Sequence, residues 1–230
     1  MPLISIRNIT KKYHTFDSDW HRFLEAITNG RIRRRHEHWI LKGISLDAEP
    51  GDSIGIIGYN GAGKSTLLSI LAGQLLPTEG RVAYTLGGRL LPVAEVPRQL
   101  AYCAPYLDLP EELTLLELLA FHTRLKPLQA GITPAKLVDI IYLQKARHQP
   151  VREFSSGMKQ RLKLGLALYA AAPLLLLDEP TTNLDATGAA WYQEHVAQVR
   201  QEPNRLVIVS SNVPAEYAFC EAQVRITDYQ

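Results

Sequence analysis

The chain has 230 residues, of which 46% are hydrophobic, so it can bury a full core and holds one sizeable domain or two small ones. Its 25 Lys and Arg residues are nearly balanced by 23 Asp and Glu, and the net charge of +2 excludes a polycationic protein that binds nucleic acid through overall charge. Two cysteines, Cys103 and Cys220, are too few for a disulfide framework, and no apolar stretch is long enough to span a bilayer, so we expect a cytosolic protein.

Short β-type runs alternate with longer helical patterns along the chain. The runs that predict strands are Leu3–Ile6, Gly43–Leu46, Ser53–Gly58, Arg81–Tyr84, Leu100–Cys103, Leu174–Asp178 and Leu206–Ser210. The segments that predict helices are Ser65–Leu75, Leu113–Leu125, Thr133–Ala146, Ser156–Ala172 and Thr187–Arg200. Strands that alternate with helices favour an α/β fold with a mainly parallel sheet. The mainly helical stretch from about 106 to 172 is predicted to be a subdomain inserted into the sheet-bearing core.

Residues 15–38 form a polar segment without regular periodicity, and we predict an irregular basic insertion there. Its basic side chains cluster in the second half, at Arg31, Arg33, Arg34, Arg35, His36 and His38. Runs of like charge are most often solvated loops. Contact with anionic lipid headgroups or with the acidic face of a partner is the alternative.

Residues 58–66 match the phosphate-loop pattern G-x-x-x-x-G-K-[ST] between a predicted strand and a predicted helix. In such a loop, backbone N–H groups and the positive end of the helix dipole bind phosphate groups. Lys64 is expected to reach the β- and γ-phosphates of ATP, and the Ser65 hydroxyl is expected to ligate Mg²⁺. The predicted nucleotide-binding residues are Gly58, Tyr59, Asn60, Gly61, Ala62, Gly63, Lys64, Ser65 and Thr66.

The apolar run 174–177 ends in two adjacent carboxylates, Asp178 and Glu179. Asp178 suits the Mg²⁺ shell, whereas Glu179 suits a base that polarises the attacking water or accepts its proton. A helix cap is the structural alternative for this pair. We predict an ATPase that uses Lys64 and Glu179 in catalysis, with Ser65 and Asp178 as metal ligands.

Residues 154–161, which precede this acidic strand, resemble the Leu-Ser-Gly-Gly-Gln signature of the ATP-binding subunits of ATP-binding cassette (ABC) transporters. Ser155 and Gly157 match that signature, whereas Phe154, Ser156 and Met158 depart from it. The resemblance implies that two such subunits pack head to tail, with Ser155 and Gly157 of one at the γ-phosphate held by the other.

Further matches extend the resemblance to nearly the whole chain. Thr181–Asp185 is similar to the family's loop that joins the two subunits, and Tyr13 stands where the family sets an aromatic ring against adenine. Trp39 competes for that second role. The resemblance implies one ABC-type domain over residues 1–230, with a P-loop NTPase core, an N-terminal antiparallel β portion and an inserted helical subdomain.

The function that this family implies is that of an energy-coupling transporter subunit. Such a subunit binds ATP and Mg²⁺, hydrolyses the ATP, pairs with a second ATP-binding subunit and works with a separate transmembrane permease. It lies on the cytoplasmic face of the membrane, and no nucleic-acid partner is expected. The cargo and the direction of transport are not encoded in any motif of this sequence.

Two positions depart from the family pattern. Pro105 stands at the place of the Q-loop glutamine, and Ser211 stands at the place of the switch histidine, with Asn212 beside it. Serine can donate a hydrogen bond but cannot take up a charge, and the loss of one transition-state contact commonly costs about 10²–10³ in rate. We therefore predict slow hydrolysis in which Ser211 replaces the histidine. The alternative is a catalytically weak or non-hydrolysing module that dimerises on ATP or regulates a partner.

Overall fold

The computed structural model describes residues 3–16, 27 and 35–230. The strands are β1 (Ile4–Phe16), β2 (Arg35–Ala48), β3 (Ser53–Ile57), β4 (Glu79–Leu86), β5 (Arg89–Leu91), β6 (Leu100–Cys103), β7 (Leu174–Asp178), β8 (Leu206–Ser211) and β9 (Ala222–Arg225). The helices are α1 (Lys64–Leu71), α2 (Val96–Gln99), α3 (Leu115–Leu125), α4 (Pro134–Ile140), α5 (Ser156–Leu168), α6 (Ala186–Arg200) and α7 (Pro214–Tyr217). In the ranges described, every helix is too short or too polar to cross a bilayer.

Five strands form a parallel sheet in the order β6-β7-β8-β3-β9. The central strands β7 and β8 are buried along their whole length, because both faces of the sheet are covered. Their continuous apolar sequences are the signal that predicted them. The parallel α/β sheet predicted from the alternation of elements is confirmed.

Alternate residues of β7 enter two different apolar clusters. Leu174 and Leu176 belong to the cluster that contains α1 and the inner face of the second sheet. Leu175 and Leu177 belong to the cluster built with α3 to α6. Because side chains alternate along a strand, Asp178 continues the first series and faces α1.

The second sheet is antiparallel, in the order β2-β1-β4-β5. Its strands β1 and β2 are much longer than the predicted runs Leu3–Ile6 and Gly43–Leu46, and their pairing continues to Phe16 opposite Arg35. The predicted irregular segment 15–38 is therefore wrong at both ends, where the chain is a two-stranded ribbon. A ribbon that leaves the core lacks a buried face, so its sequence lacks the apolar alternation that indicates strands. Arg31, Arg33 and Arg34 lie outside the described residues.

Several predicted helices end earlier in the structure than the sequence suggested. The predicted helix Thr133–Ala146 stops at Ile140, and Tyr142 has a φ of 57°. Helix α5 ends at Leu168 rather than at Ala172, and α1 ends at Leu71 rather than at Leu75, just before Gly73 with a φ of 71°. The strands β5 and β9 were not predicted, because both are short and most of their side chains are exposed.

Arg205 fixes the end of α5. It is 2% exposed, and its guanidinium donates hydrogen bonds to the carbonyl oxygens of Leu168 at 2.6 Å and Ala167 at 2.9 Å. Burial lowers the pKa of Arg205 to about 10. The side chain thus satisfies helix-end carbonyl groups that would otherwise be buried without donors.

We expect Arg205→Met to lower the free energy of unfolding by about 2–3 kcal/mol, because two buried carbonyl groups lose a charged donor. Arg200→Met is the matched control, since Arg200 pairs with Glu221 at the surface, and its effect should stay within about 0.5 kcal/mol. Urea denaturation of both variants measures the difference. Equal losses would contradict this role of Arg205.

Candidate nucleotide-binding site

The phosphate loop joins the end of β3 to the start of α1 and depends on its glycines. Gly61 and Gly63 have φ values of 84° and 96°, in the left-handed region that favours glycine. A Cβ atom at Gly63 would lie 2.6 Å from Ile40 Cγ2, whereas one at Gly61 would meet nothing within 4 Å. Gly63 is the N-cap of α1 and offers no side-chain cap, so the first N–H groups of α1 are left for an anion.

Lys64 lies inside this loop, with 3% of its side chain exposed. Its ammonium donates to the carbonyl oxygen of Tyr59 at 3.2 Å, and its Nζ lies 3.9 Å from Glu179 Oε1. The fold thus brings together a cation and a carboxylate that are far apart in the sequence. The aromatic ring of Tyr59 is exposed at the tip of the loop, and its hydroxyl donates to Gln230 Oε1 at 2.8 Å.

Asp178 ends β7 on the face that contains α1. It is 1% exposed, and neither of its buried carboxylate oxygens has a hydrogen-bond partner within the part of the chain that the structure describes. A buried carboxylate without a partner is costly and calls for a bound cation or water. Carboxylate and hydroxyl oxygens are ligands that Mg²⁺ accepts, so Asp178 and the half-buried Ser65 in the first turn of α1 fit this ion.

Glu179 follows Asp178 but leaves the strand geometry. Its φ is 43°, a left-handed value that costs a non-glycine residue about 1–3 kcal/mol. Its backbone N–H donates to the carbonyl oxygen of Ser210 at 2.9 Å, which holds the turn in place. The side chain is 35% exposed and lies beside Lys64, whereas Asp178 stays buried. The two adjacent carboxylates therefore have different surroundings and can do different chemistry.

Ser211 is fully buried and pairs with Ile57, the residue before the phosphate loop. Its Oγ accepts a hydrogen bond from the backbone N–H of Val213 at 2.8 Å. By the alternation along β8, Ser211 lies on the opposite face of the sheet from Asp178, and Ser210 lies on the same face as Asp178. Ser210 is not among the predicted site residues, because a serine in an apolar run carries no signal of the face that it occupies.

Ser155 and Gly157 form a separate group at the exposed start of α5. The Ser155 hydroxyl caps this helix by accepting from the N–H of Met158 at 3.2 Å. A Cβ atom at Gly157 would lie 3.2 Å from the carbonyl oxygen of Asn183, so the start of α5 packs against the loop 180–185. In that loop Asp185 caps α6 by accepting from the N–H of Gly188 at 2.7 Å.

Pro105 lies in the loop 104–107, which a lysine from α5 holds in place. Lys163 Nζ donates to the carbonyl oxygens of Ala104 at 3.2 Å, Pro105 at 2.8 Å and Leu107 at 3.3 Å. Burial lowers the pKa of Lys163. Lys163 is not among the predicted site residues, although a lone lysine in the apolar second half of α5 is a weak signal for such a contact.

Tyr13 and Trp39, the two candidates for stacking on adenine, lie in the ribbon of β1 and β2. Lys11 Nζ lies 5.2 Å from the centre of the Tyr13 ring, and Lys12 Nζ lies 5.0 Å from the centre of the Trp39 ring. Trp39 directly precedes Ile40, the residue that lies over Gly63. Both rings therefore lie on the ribbon, and Trp39 is one residue from the contact with the phosphate loop.

Comparison with known proteins identifies a family and several similar proteins. A family model described as ABC transporter matches residues 41–182. The teichoic acids export ATP-binding protein of Levilactobacillus brevis is 29% identical over 225 residues, and that of Bacillus anthracis is 26% identical over 224 residues. These alignments cover 95% and 94% of this chain. The chain spans 58% and 38% of the length of these two curated relatives.

Solved structures show the same fold. A dimeric ATP-binding cassette in a post-hydrolysis state, bound to ADP and Pi, superposes with a TM-score of 0.76 at 20% identity, covering 96% of this chain and 93% of its own. An ATP-binding subunit of an ABC transporter superposes with a TM-score of 0.72 at 21% identity, covering 97% and 85%. Together with the two observed sheets, this similarity confirms the predicted fold class.

We expect Gly63→Ala to lower the free energy of unfolding more than Gly61→Ala. Both variants force a side chain into the left-handed region, at a cost of about 1 kcal/mol. Only Gly63→Ala also pushes a methyl group against Ile40, which adds about 1–3 kcal/mol of overpacking. Thermal and urea denaturation of the two variants measure the difference, and equal stabilities would contradict the contact with Ile40.

Proposed function

Because this chain belongs to the ABC transporter family, we propose that it is the energy-coupling subunit that binds and hydrolyses ATP for a transporter. The observation that carries the proposal is the convergence of Lys64, Glu179 and the buried Asp178 at the carboxyl ends of β3 and β7. A cation for phosphate, a base for water and a metal ligand are the groups that phosphoryl transfer to water requires.

Binding of ATP rests on the phosphate loop. The N–H groups of residues 58–66 and the start of α1 bind the phosphates, and Lys64 exchanges its contact with Tyr59 for a phosphate oxygen. Ser65 and Asp178 would hold Mg²⁺, which when bound would neutralise part of the charge on the phosphates. The adenine ring stacks on an aromatic side chain of the ribbon, Tyr13 or Trp39.

Glu179 is the base of the proposed reaction. Its partly exposed carboxylate can orient the attacking water and accept its proton, whereas the buried Asp178 is held for the metal. Ser211 takes the place of the family's switch histidine, and its hydroxyl, which in the structure donates to the carbonyl oxygen of Val213 at 3.5 Å, would turn to donate a hydrogen bond to the γ-phosphate. Its oxygen already accepts from Val213, so this contact is a single neutral hydrogen bond. We therefore expect slow turnover.

A second ATP-binding subunit is part of the proposal. Ser155 and Gly157 lie at the exposed N-terminus of α5, where a capped helix end offers N–H groups and a positive dipole to an anion. In a head-to-tail dimer this end closes on the γ-phosphate bound by the other subunit. The loop 180–185, against which α5 packs, then lies at the contact between the subunits.

A separate membrane-spanning subunit is the other proposed partner, with this chain peripheral on the cytoplasmic face of the membrane. Beside the loop 104–107 there is a cavity of about 160 Å³, lined in part by Leu107, Leu109, His122, Lys126 and Lys163. We assign this surface to the permease contact. Because Lys163 joins the loop to α5, movement of the loop is passed to the helix that begins at Ser155.

Lys64→Ala is expected to weaken the binding of Mg-ATP by about 10²-fold, because the phosphates lose a buried charged donor. Lys136→Ala is the control, since Lys136 is exposed and its ammonium contacts Gly131. Calorimetric titration with a non-hydrolysable ATP analogue measures both affinities. An unchanged affinity in Lys64→Ala would show that the loop does not bind nucleotide as proposed.

Glu179→Gln is expected to lower steady-state hydrolysis by about 10²–10³-fold while ATP still binds, because the amide keeps the shape but cannot accept a proton. ATP should then accumulate in a closed dimer, seen as a doubled mass on size exclusion. Glu221→Gln, at an exposed ion pair with Arg200, is the control and should hydrolyse ATP at the normal rate.

One outcome would contradict the role of Glu179, and another would contradict hydrolysis by this chain. Equal turnover in the Glu179→Gln and Glu221→Gln variants would remove Glu179 from catalysis. ATP binding without turnover in the unaltered chain would favour the non-hydrolysing, ATP-gated module instead.

A further inference from the structure

Ser210 is a buried polar residue that the proposed mechanism leaves unused. It is fully buried near the end of β8, and its Oγ has no hydrogen-bond partner in the ranges that the structure describes. A buried hydroxyl without a partner has lost its hydrogen bonds to water and has formed none within the protein. Its presence therefore requires an explanation.

The position of Ser210 relative to Asp178 supplies that explanation. The two residues are register partners in the parallel pair β7–β8, so their backbones lie about 5 Å apart, the usual distance between strands. Both continue the series of alternate residues that faces α1: Leu174 and Leu176 in β7, and Leu206 and Ile208 in β8. The hydroxyl of Ser210 and the carboxylate of Asp178 therefore lie next to each other on one face of the sheet.

Three buried oxygen atoms on these two residues lack a partner: the Ser210 Oγ and both carboxylate oxygens of Asp178. Neighbouring strand ends that both present unsatisfied oxygens on the same face form a small polar site within an apolar layer. Such a group is satisfied by an ion or by water molecules that donate to it. Mg²⁺ suits this arrangement because it keeps several of its own water ligands, which donate hydrogen bonds to nearby oxygens.

We propose that Ser210 is a positioning residue of the Mg²⁺ site, where its hydroxyl holds a metal-bound water beside Asp178. The inference rests on the proposed function and adds to it a residue for which the phosphate loop and the acidic pair give no signal. The inference also gives two adjacent serines different roles. Ser210 serves the metal on the α1 face, and Ser211, held by Val213 on the other face, serves the γ-phosphate.

A Mg²⁺ titration of nucleotide binding tests the proposal. In Ser210→Ala, the concentration of Mg²⁺ needed for half-maximal binding of a non-hydrolysable ATP analogue should rise about threefold to tenfold, the equivalent of one neutral hydrogen bond. Ser210→Thr, which keeps the hydroxyl, should return this concentration to near the original value. Binding of the analogue in EDTA should be the same in all three proteins, because without metal the serine has no water to hold.

Ser53→Ala is the matched control. Ser53 is also a buried serine of the parallel sheet, but it lies at the opposite end of β3, and its Oγ accepts from the N–H of Glu221 at 3.2 Å. Its removal should leave the Mg²⁺ dependence unchanged. Without nucleotide, Ser210→Ala should melt at the same temperature as the unaltered chain or higher, because it removes an unsatisfied hydroxyl, whereas Ser53→Ala should melt lower.

The outcomes separate this inference from the proposed function. If the unaltered chain binds the analogue in a Mg²⁺-dependent way and Ser210→Ala does so at the same Mg²⁺ concentration, the role of Ser210 is wrong while the ATP site stands. If the unaltered chain shows no Mg²⁺-dependent binding, the proposed function itself fails. A lower melting temperature of Ser210→Ala would show that the hydroxyl is satisfied within the protein, and would also overturn the inference.

Discussion

Parallel pairing of β3, β8 and β7 is the constraint on which the site depends. It sets Ile57 beside Ser211 and Ser210 beside Asp178, so that the phosphate loop and the acidic strand end at one edge of the sheet. Parallel strands need crossovers, and the long helical connections supply them. A slip of one residue in this register would move Asp178 to the other face of the sheet, away from α1. The relative positions of these residues therefore depend on the packing of the central strands.

Several features of the site lower the stability of the fold, and the packing of the surrounding core offsets this loss. Glu179 has a left-handed backbone, Gly63 leaves no room for a side chain, and Asp178 and Ser210 bury unpaired oxygens. Each of these features is unfavourable for folding alone, by about 1–3 kcal/mol for the strained or unpaired group. They lie together in the proposed site, where a metal ion and water would satisfy the unpaired oxygens of Asp178 and Ser210. Strain concentrated in this way is what a binding site built on a rigid sheet is expected to show.

Helix α5 connects the site to the surface. Its buried Gln160 donates to the carbonyl oxygen of Pro180 at 2.8 Å, next to Glu179, and its Lys163 holds the loop that contains Pro105. Its exposed N-terminus carries Ser155. One rigid element thus contacts the loop after the acidic strand, the loop beside the proposed permease contact and the proposed subunit interface. A glutamine at position 105 is absent, but the loop remains tied to the helix through backbone carbonyl groups that any residue would provide.

The phosphate loop, the acidic pair and the buried strands could be predicted from the sequence, because these depend on short patterns whose chemistry or burial is local. Prediction failed for the ribbon of β1 and β2, where no buried face imposes a period, and for the ends of α1, α4 and α5, because apolar residues continue past each end and Ala72, Ile141 and Tyr169 are still buried. No sequence pattern predicts that Asp178 and Ser210 share a face, that Glu179 lies beside Lys64 or that Lys163 holds the loop of Pro105; these facts come from the folded structure. These relations join residues distant in sequence, through strand register at Asp178 and Ser210 and through the packing of a helix against a loop at Lys163, and neither is set by any one segment.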